Sequence, residues 1–197
     1  MMIAVMLLSV ALAAAFGVLS SMQGAAVITT NRFTAEGEAQ TIADRITKDL
    51  RTAVATSATG AAFVSADVND VTFYANLADP LGPDKLHAYL TLQGGTNVYL
   101  FHEDSTAPNA GGSVGNYTYT GASISRIDGK YIDTTQPIFS YFDLSGAPIP
   151  TPITTVAGLR SIDSVAIKLR VRVTPTAPVV EIDTTVHIRN TDYNPND

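Results

Sequence analysis

The chain has 197 residues, of which 46% are hydrophobic and 15% charged, with 14 Gly, 10 Pro and no Cys. That balance fits one folded domain with an appendage and excludes a disordered tail. Lys and Arg number 12 against 18 Asp and Glu, a formal charge of -6, so the broad basic footprint of a nucleic-acid binder is missing. Without cysteine there is no thiolate catalysis, disulfide scaffold or Cys-ligated zinc, and the redox compartment stays open.

From Met1 to Leu19 the sequence MMIAVMLLSVALAAAFGVL is interrupted only by Ser9 and Gly17, and no charged side chain precedes Arg32. As a helix rising ~1.5 Å per residue this run is about 29 Å long, close to the ~30 Å hydrocarbon core of a bilayer. A secretory signal peptide is one alternative, because Ala11-Leu12-Ala13 mimics a cleavage site, but no basic n-region precedes the run. A soluble core helix is another, and it would need surroundings on every side.

Between Ala35 and Val54 the positions Ala35, Ala39, Ile42, Ala43, Ile46, Leu50, Ala53 and Val54 recur at steps of three and four, one helical stripe. Asp44 with Lys48 and Arg45 with Asp49 read as solvated i,i+4 pairs worth a few tenths of a kcal/mol each. No proline precedes Pro80, although Gly17, Ser20, Ser21, Gly24 and Thr29-Thr30-Asn31 make the middle a weak helix former. The spacing predicts one helix from the start to about residue 57, roughly 85 Å if unbroken, with Thr59-Gly60 as its stop. Three parts follow: residues 1–30 as a hydrophobic helix, 31–57 as its amphipathic continuation, and 58–197 as a β-rich head.

Beyond Ala61 the period changes to two. Expected strands are Val71 to Ala75, Leu86 to Leu92, Asn97 to His102, Asn116 to Thr120, Ser123 to Ile127, Pro137 to Phe142, Ser164 to Val173 and Val179 to Arg189. Turn chemistry at Asp79-Pro80, Gly94-Gly95, Asp128-Gly129 and Ser145-Gly146 separates them. In the last pair Val165, Ile167, Leu169, Val171 and Val173 form one apolar face, and Val180, Ile182, Val186 and Ile188 the other. Folding about Thr176-Ala177 places Arg172 opposite Glu181 and Arg170 opposite Asp183. The stripe of residues 35 to 54 is the long helical surface available to cover these faces.

Three segments carry a resemblance to a known family. Met1 to Gly17 resembles the apolar half of an N-terminal filament helix. Ile42-Ala43-Asp44-Arg45-Ile46-Thr47-Lys48-Asp49-Leu50-Arg51-Thr52-Ala53 resembles its helix-end pattern. The carboxy end reads Phe139-Ser140-Tyr141-Phe142-Asp143-Leu144-Ser145-Gly146 and then a hairpin closing at Val186-His187-Ile188-Arg189-Asn190. Together they are similar to the type IV filament subunits, closest to the J-type pseudopilins of type II secretion and the PilW-type minor pilins. The resemblance implies an α+β, pilin-like fold with a long N-terminal helix, membrane-spanning and then amphipathic, on a mainly antiparallel sheet.

Members of that family carry a basic leader ending in Gly and then Phe-Thr-Leu-x-Glu-Leu. Here position 5 is Val5 and no acidic residue precedes Glu36, so the peptidase site and assembly glutamate map onto no residue. The expectation is that codons upstream of Met1 extend in frame to a Gly-Phe-Thr/Ser-Leu-x-Glu pattern; alternatively the chain is a divergent member that joins filaments inefficiently.

Other chemistry is sparse. His87, His102 and His187 are far apart and read as solvated, with no metal site expected. The sequence has no HExxH, GxSxG, GxxxxGK[ST] or GxGxxG, so no nucleotide pocket or familiar nucleophile is indicated. Asp67 with Asp70, Asp79 with Asp84, Asp128 with Asp133, and Asp143 beside Ser145-Gly146 suit calcium or, more cheaply, Asx turns. Asn116-Tyr117-Thr118 is a formal glycosylation sequon. Glu103 to Gly115 reads as the least structured internal loop. Tyr117, Tyr119, Tyr131 and Tyr141 read as packing residues. Lys168, Arg170 and Arg172 form a basic strip that Glu181 and Asp183 neutralise, so nucleic acid is not an expected partner.

The resulting expectation is a non-enzymatic minor subunit of a type IV pilus or type II secretion pseudopilus, initiating or capping assembly, without cofactor or small-molecule substrate. Met1, Ile3, Met6, Leu7, Val10, Leu12, Phe16 and Leu19 would pack against the helices of other pilins or pseudopilins, and against the cytoplasmic (inner) membrane before assembly. Ala39, Ile42, Ile46, Leu50 and Ala53 would pack helix to head. Gly17 and Gly24 would bend or melt during extraction. The chain would be single-pass with its head extracytoplasmic, then part of a surface or periplasmic filament. Pilus, secretion and DNA-uptake assemblies share this physics. A surface adhesion module exported by a signal peptide remains the alternative, favoured if the mature chain begins near Ala15 to Gly24; an anchored hydrolase is a more distant one.

Overall fold

The computed structural model describes residues 2–57, 59–77, 81–94, 99–110, 112, 116–174 and 177–188. Met1, the Asp79-Pro80 turn, Gly95, Asn97, Thr176 and the closing Arg189-Asn190 lie outside the described residues.

Helix α1 runs unbroken from Met2 to Arg51, about 75 Å at ~1.5 Å per residue. Along it Thr29, Thr30, Thr34 and Thr41 donate their hydroxyls to carbonyls one turn back, which satisfies each hydroxyl inside the helix. The helix stops short of the expected end near residue 57. After Arg51 the chain tightens through Thr52 N–H to Asp49 C=O and Ala53 N–H to Leu50 C=O, both 3.1 Å. The backbone is then captured by a strand: Ala53 bridges Ala75, Val54 N–H donates to Tyr74 C=O and Asn76 N–H to Thr52 C=O. Helical periodicity continues through Ala53 and Val54, but sheet pairing overrides it.

The head contains two antiparallel sheets. The first has the order β1-β2-β3-β4-β5, built from Phe63–Ala66, Asp70–Ala75, Asp84–Leu92, Tyr99–Thr106 and Ile124–Gly129. The second has β6 (Phe139–Phe142), β7 (Pro148–Ile149), β8 (Ser164–Val171) and β9 (Val180–His187), in the order β7-β6-β8-β9. A short helix α2, Val156–Arg160, is capped by the Thr155 hydroxyl accepting from Gly158 N–H. The class is therefore α+β with a long N-terminal helix and antiparallel sheets. The sequence reading missed β1, β7 and α2. The expected strand Asn116 to Thr120 does not form; Asn109 instead grips the hydroxyls of Thr118 and Thr120. Glu103–Thr106, expected in a loop, completes β4.

The C-terminal half of α1 packs on β8 and β9 of one sheet and on β5 and β2 of the other. Ala35, Ala39, Ile42, Ile46, Leu50 and Ala53 are all buried, as are Phe73, Leu86 and Phe101 from the first sheet and Phe139, Ile167, Leu169 and Val186 from the second. The small residues let the helix approach closely. Gly129 at the end of β5 lies where an added Cβ would run into the Ile42 side chain.

The β8–β9 hairpin alternates as expected, but its register differs by two. Arg170 faces Glu181 and Lys168 faces Asp183, with Val171 opposite Val180 as the last pair. A shift of two keeps every side chain on its own face. Past β6, the edge of β8 opposite β9 is taken up by the segment before β6: Ile132 bridges Val171 and Arg172 N–H donates to Tyr131 C=O.

Leu50→Ala is expected to lower the unfolding free energy by about 2–5 kcal/mol, and Gly129→Ala by about 1–3 kcal/mol through overpacking. Asp44→Ala, on the exposed helix face, should change it by less than about 0.5 kcal/mol. Urea titration followed by tyrosine fluorescence measures all three.

Candidate functional site

Apolar surface dominates the first part of α1. Every large apolar side chain from Ile3 to Phe33 is at least 50% exposed. The most apolar window has a mean hydropathy of 2.6 with none of it buried in the fold, so α1 is long and apolar enough to span a membrane. Of the expected packing residues, Ile3, Met6, Leu7, Val10, Leu12, Phe16 and Leu19 are all exposed, and Met1 lies outside the described residues. Val5, Leu8 and Val18 are exposed as well, so the apolar surface runs around the whole helix. Gly17 and Gly24 are helical, and an added Cβ would meet nothing within 4 Å at either.

In the last turns of α1, a charged cluster lies between the helix and the first sheet, its carboxylates largely buried and its arginines partly exposed. Glu103 on β4 accepts from Arg45 Nε at 3.2 Å and from Arg126 Nη2 at 2.7 Å. A bulge at the β4–β5 pairing sets Asp128 out of register, and its Oδ1 meets Arg126 Nε at 2.9 Å and Arg45 Nη1 at 3.5 Å. Asp49, one turn after Arg45, lies 4.0 Å from Arg45 Nε. The sequence reading placed Arg45 and Asp49 on the solvent surface; the structure corrects this, because Asp49 is buried and Arg45 reaches across to the sheet. Burial, followed by the nearby Asp49 charge, raises Glu103 to about 7. Burial also raises Asp49 and Asp128.

The outer face of the first sheet is polar. His87, Tyr89 and His102 stack in succession, with ring centroids 4.3 and 5.3 Å apart. His87 Nε2 meets Asp70 Oδ2 at 2.8 Å, and Tyr89 donates to Asp104 at 3.2 Å. His102 departs from the expected solvated histidine: both its ring nitrogens are buried without a hydrogen-bond partner. His187 is exposed and faces Asp163 at 3.4 Å. Lys85, His87, Asp104, Thr106, Tyr119 and Ser123 line an open groove of about 390 Å³. Tyr119 is fixed there by stacking on Tyr74 and donating to Pro83 C=O. Among the described residues no three His, Asp or Glu side chains converge on a metal position. Asp143 accepts from Ser145 N–H, Ser145 Oγ and Ala147 N–H, an Asx turn.

The basic strip of β8 is neutralised, partly by residues the sequence did not indicate. Lys168 pairs with Glu181 at 3.3 Å, Arg170 with Glu181 at 3.3 Å and Asp133 at 3.7 Å, and Arg172 with Asp133 at 2.6 Å. Thr135 joins them, accepting from Arg170 Nη1 and donating its backbone N–H to Asp133. Burial alone would raise Asp133; hydrogen bonds from Thr135 and Arg172 outweigh it and hold the carboxyl at about 2.

A depressed carboxylate stabilises the fold above its unfolded pKa, and the contribution is lost as pH falls through its folded value. Asp133→Asn is thus expected to cost about 1–3 kcal/mol near neutral pH, discounted for the partly exposed arginines. That difference should vanish between about pH 4 and about pH 2 in denaturant titrations. Searches of protein-family models, curated proteins and solved structures give no match to this chain.

Proposed function

We propose that the chain is a structural minor subunit of a type IV pilus or type II secretion pseudopilus, anchored in the inner membrane before assembly and helping to initiate or cap the filament. The observation that supports this reading is the unbroken helix Met2–Arg51, apolar and exposed at one end and the central ridge of the head core at the other. A flexible spacer would serve a tethered enzyme equally well, since catalysis gains nothing from rigid coupling to a bilayer. A rigid shaft transmits the position of its apolar end to the head. At about 25 cal/mol per Å², removing on the order of 1,000 Å² of such surface from water is worth tens of kcal/mol. Lipid does this before assembly, and the shafts of sister subunits do it afterwards.

The chain has no native cysteine, so single cysteines report contacts cleanly. In membranes containing the companion subunits, Val10→Cys and Phe16→Cys should give crosslinked species, and the head variant Leu144→Cys should not. Monomers alone at both shaft positions, or a soluble mature chain lacking the first helix turns, would overturn the reading. Gly17→Ala and Gly24→Ala have free space and should stabilise the helix by about 1 kcal/mol each. Raised amide protection with reduced assembly is the expected outcome; no change in either property removes a role for helix softening.

A further inference from the structure

Glu103 is enclosed by charged groups from every element packed against it. α1 supplies Arg45 and Asp49, with Lys48 next to Asp49; β5 supplies Arg126 and Asp128; His102, beside Glu103 on β4, faces Asp128. If all were ionised, the buried core of this cluster would hold the negative charges of Asp49, Glu103 and Asp128 against the positive charges of Arg45 and Arg126. The arginines are already divided. Oε1 of Glu103 takes one contact from each, and so does Oδ1 of Asp128. Asp49 Oδ2 approaches the same Arg45 Nε that Glu103 already holds, at 4.0 Å against 3.2 Å, so the two carboxyl groups converge on one guanidinium nitrogen. Two buried carboxyl groups competing for one nitrogen oppose each other's ionisation, and burial raises both, which favours keeping one proton on the pair.

Asp49 belongs to the shaft and Glu103 to the sheet, so this proton sits across the joint between them. We propose that the proton shared by Asp49 and Glu103 latches the shaft to the head, and that its loss at alkaline pH loosens the end of α1 from β4 and β5. With the proton present, the remaining two negative charges of the cluster balance the two arginines. With it gone, two carboxylates repel directly across the interface, in surroundings that water screens poorly. The sign follows from the raised acidity constants. The folded chain holds the proton to a higher pH than the unfolded chain, so the latch is fully closed below the ordinary carboxylate range and is lost as pH rises through about 7. This latch rests on the head fold alone and stands or falls independently of the filament reading.

The test uses the full chain in detergent micelles. Carboxyl-carbon NMR of the wild-type protein should show Asp49 and Glu103 titrating together, with the later step near 7. Amide exchange, corrected for its intrinsic pH dependence, should show protection of Ile42 to Leu50 falling at least about fivefold relative to β8 between about pH 6 and about pH 8.5. Glu103→Gln and Asp49→Asn, which keep the shape and remove the titration, should reduce that change to less than about twofold. The proposal is overturned if both wild-type carboxyl carbons finish titrating below about pH 5, if the wild-type protection ratio does not move, or if a folded variant retains the same pH response. The two wild-type measurements decide the matter even where a variant fails to fold.

Discussion

One helix carrying two kinds of surface, an exposed apolar one and a buried one, is the constraint on which the structure depends. Residues before Arg32 offer no charge to water, and those from Ala35 to Ala53 offer the head its central apolar ridge. Ala35, Ala39 and Ala43 bring the helix axis close to the sheets, while Ile42, Ile46 and Leu50 fill the space between them. Because α1 touches β5 and β2 on one side and β8 and β9 on the other, withdrawing it would expose both sheets at once. The shaft is therefore a structural member of the head.

The charged residues follow from that placement. Covering a sheet with a helix brings polar side chains at the margin out of water, and buried charges persist only when paired. Arg45 is long enough to reach β4 and β5 from α1, and it meets Arg126 there over the same two carboxylates. The second cluster, around Asp133, works where β8 outlasts its partner β9. Arg172 lies past the last β8–β9 pair and turns to Asp133, while Tyr131 and Ile132 pair with the opposite edge of β8, in line with β6. Both networks sit at the seams between elements distant in sequence.

What the sequence made legible was periodic and local. The stripe from Ala35 to Ala53 and the alternation of β8 and β9 follow from spacing alone, and both are seen with the buried faces expected. The exposed shaft was legible from the length of its nearly uninterrupted apolar run, which has no period. Short elements were not: β7 has two residues and α2 five, too few for any period to emerge. Register was not, because a shift of two leaves every side chain on its proper face, so alternation alone does not select between the choices. The joint was least legible of all. Arg45 and Asp49 look like any solvated helical pair until Glu103, Arg126 and Asp128 arrive from strands more than fifty residues away.

The delayed first charge of α1 has a geometric consequence for the head. From Met2 to Arg32 the helix rises about 45 Å, whereas hydrocarbon accounts for ~30 Å. With α1 along the bilayer normal and the hydrocarbon starting at Met2, the remaining ~15 Å would form a neutral collar that includes Gln23, Thr29, Thr30 and Asn31. The collar is longer than the Debye length of ~10 Å at 0.1 M salt. Under the membrane reading proposed above, a head belonging to a chain of net charge -6 would be lifted beyond most of the repulsion from anionic lipid, free to turn above the surface without dragging on it.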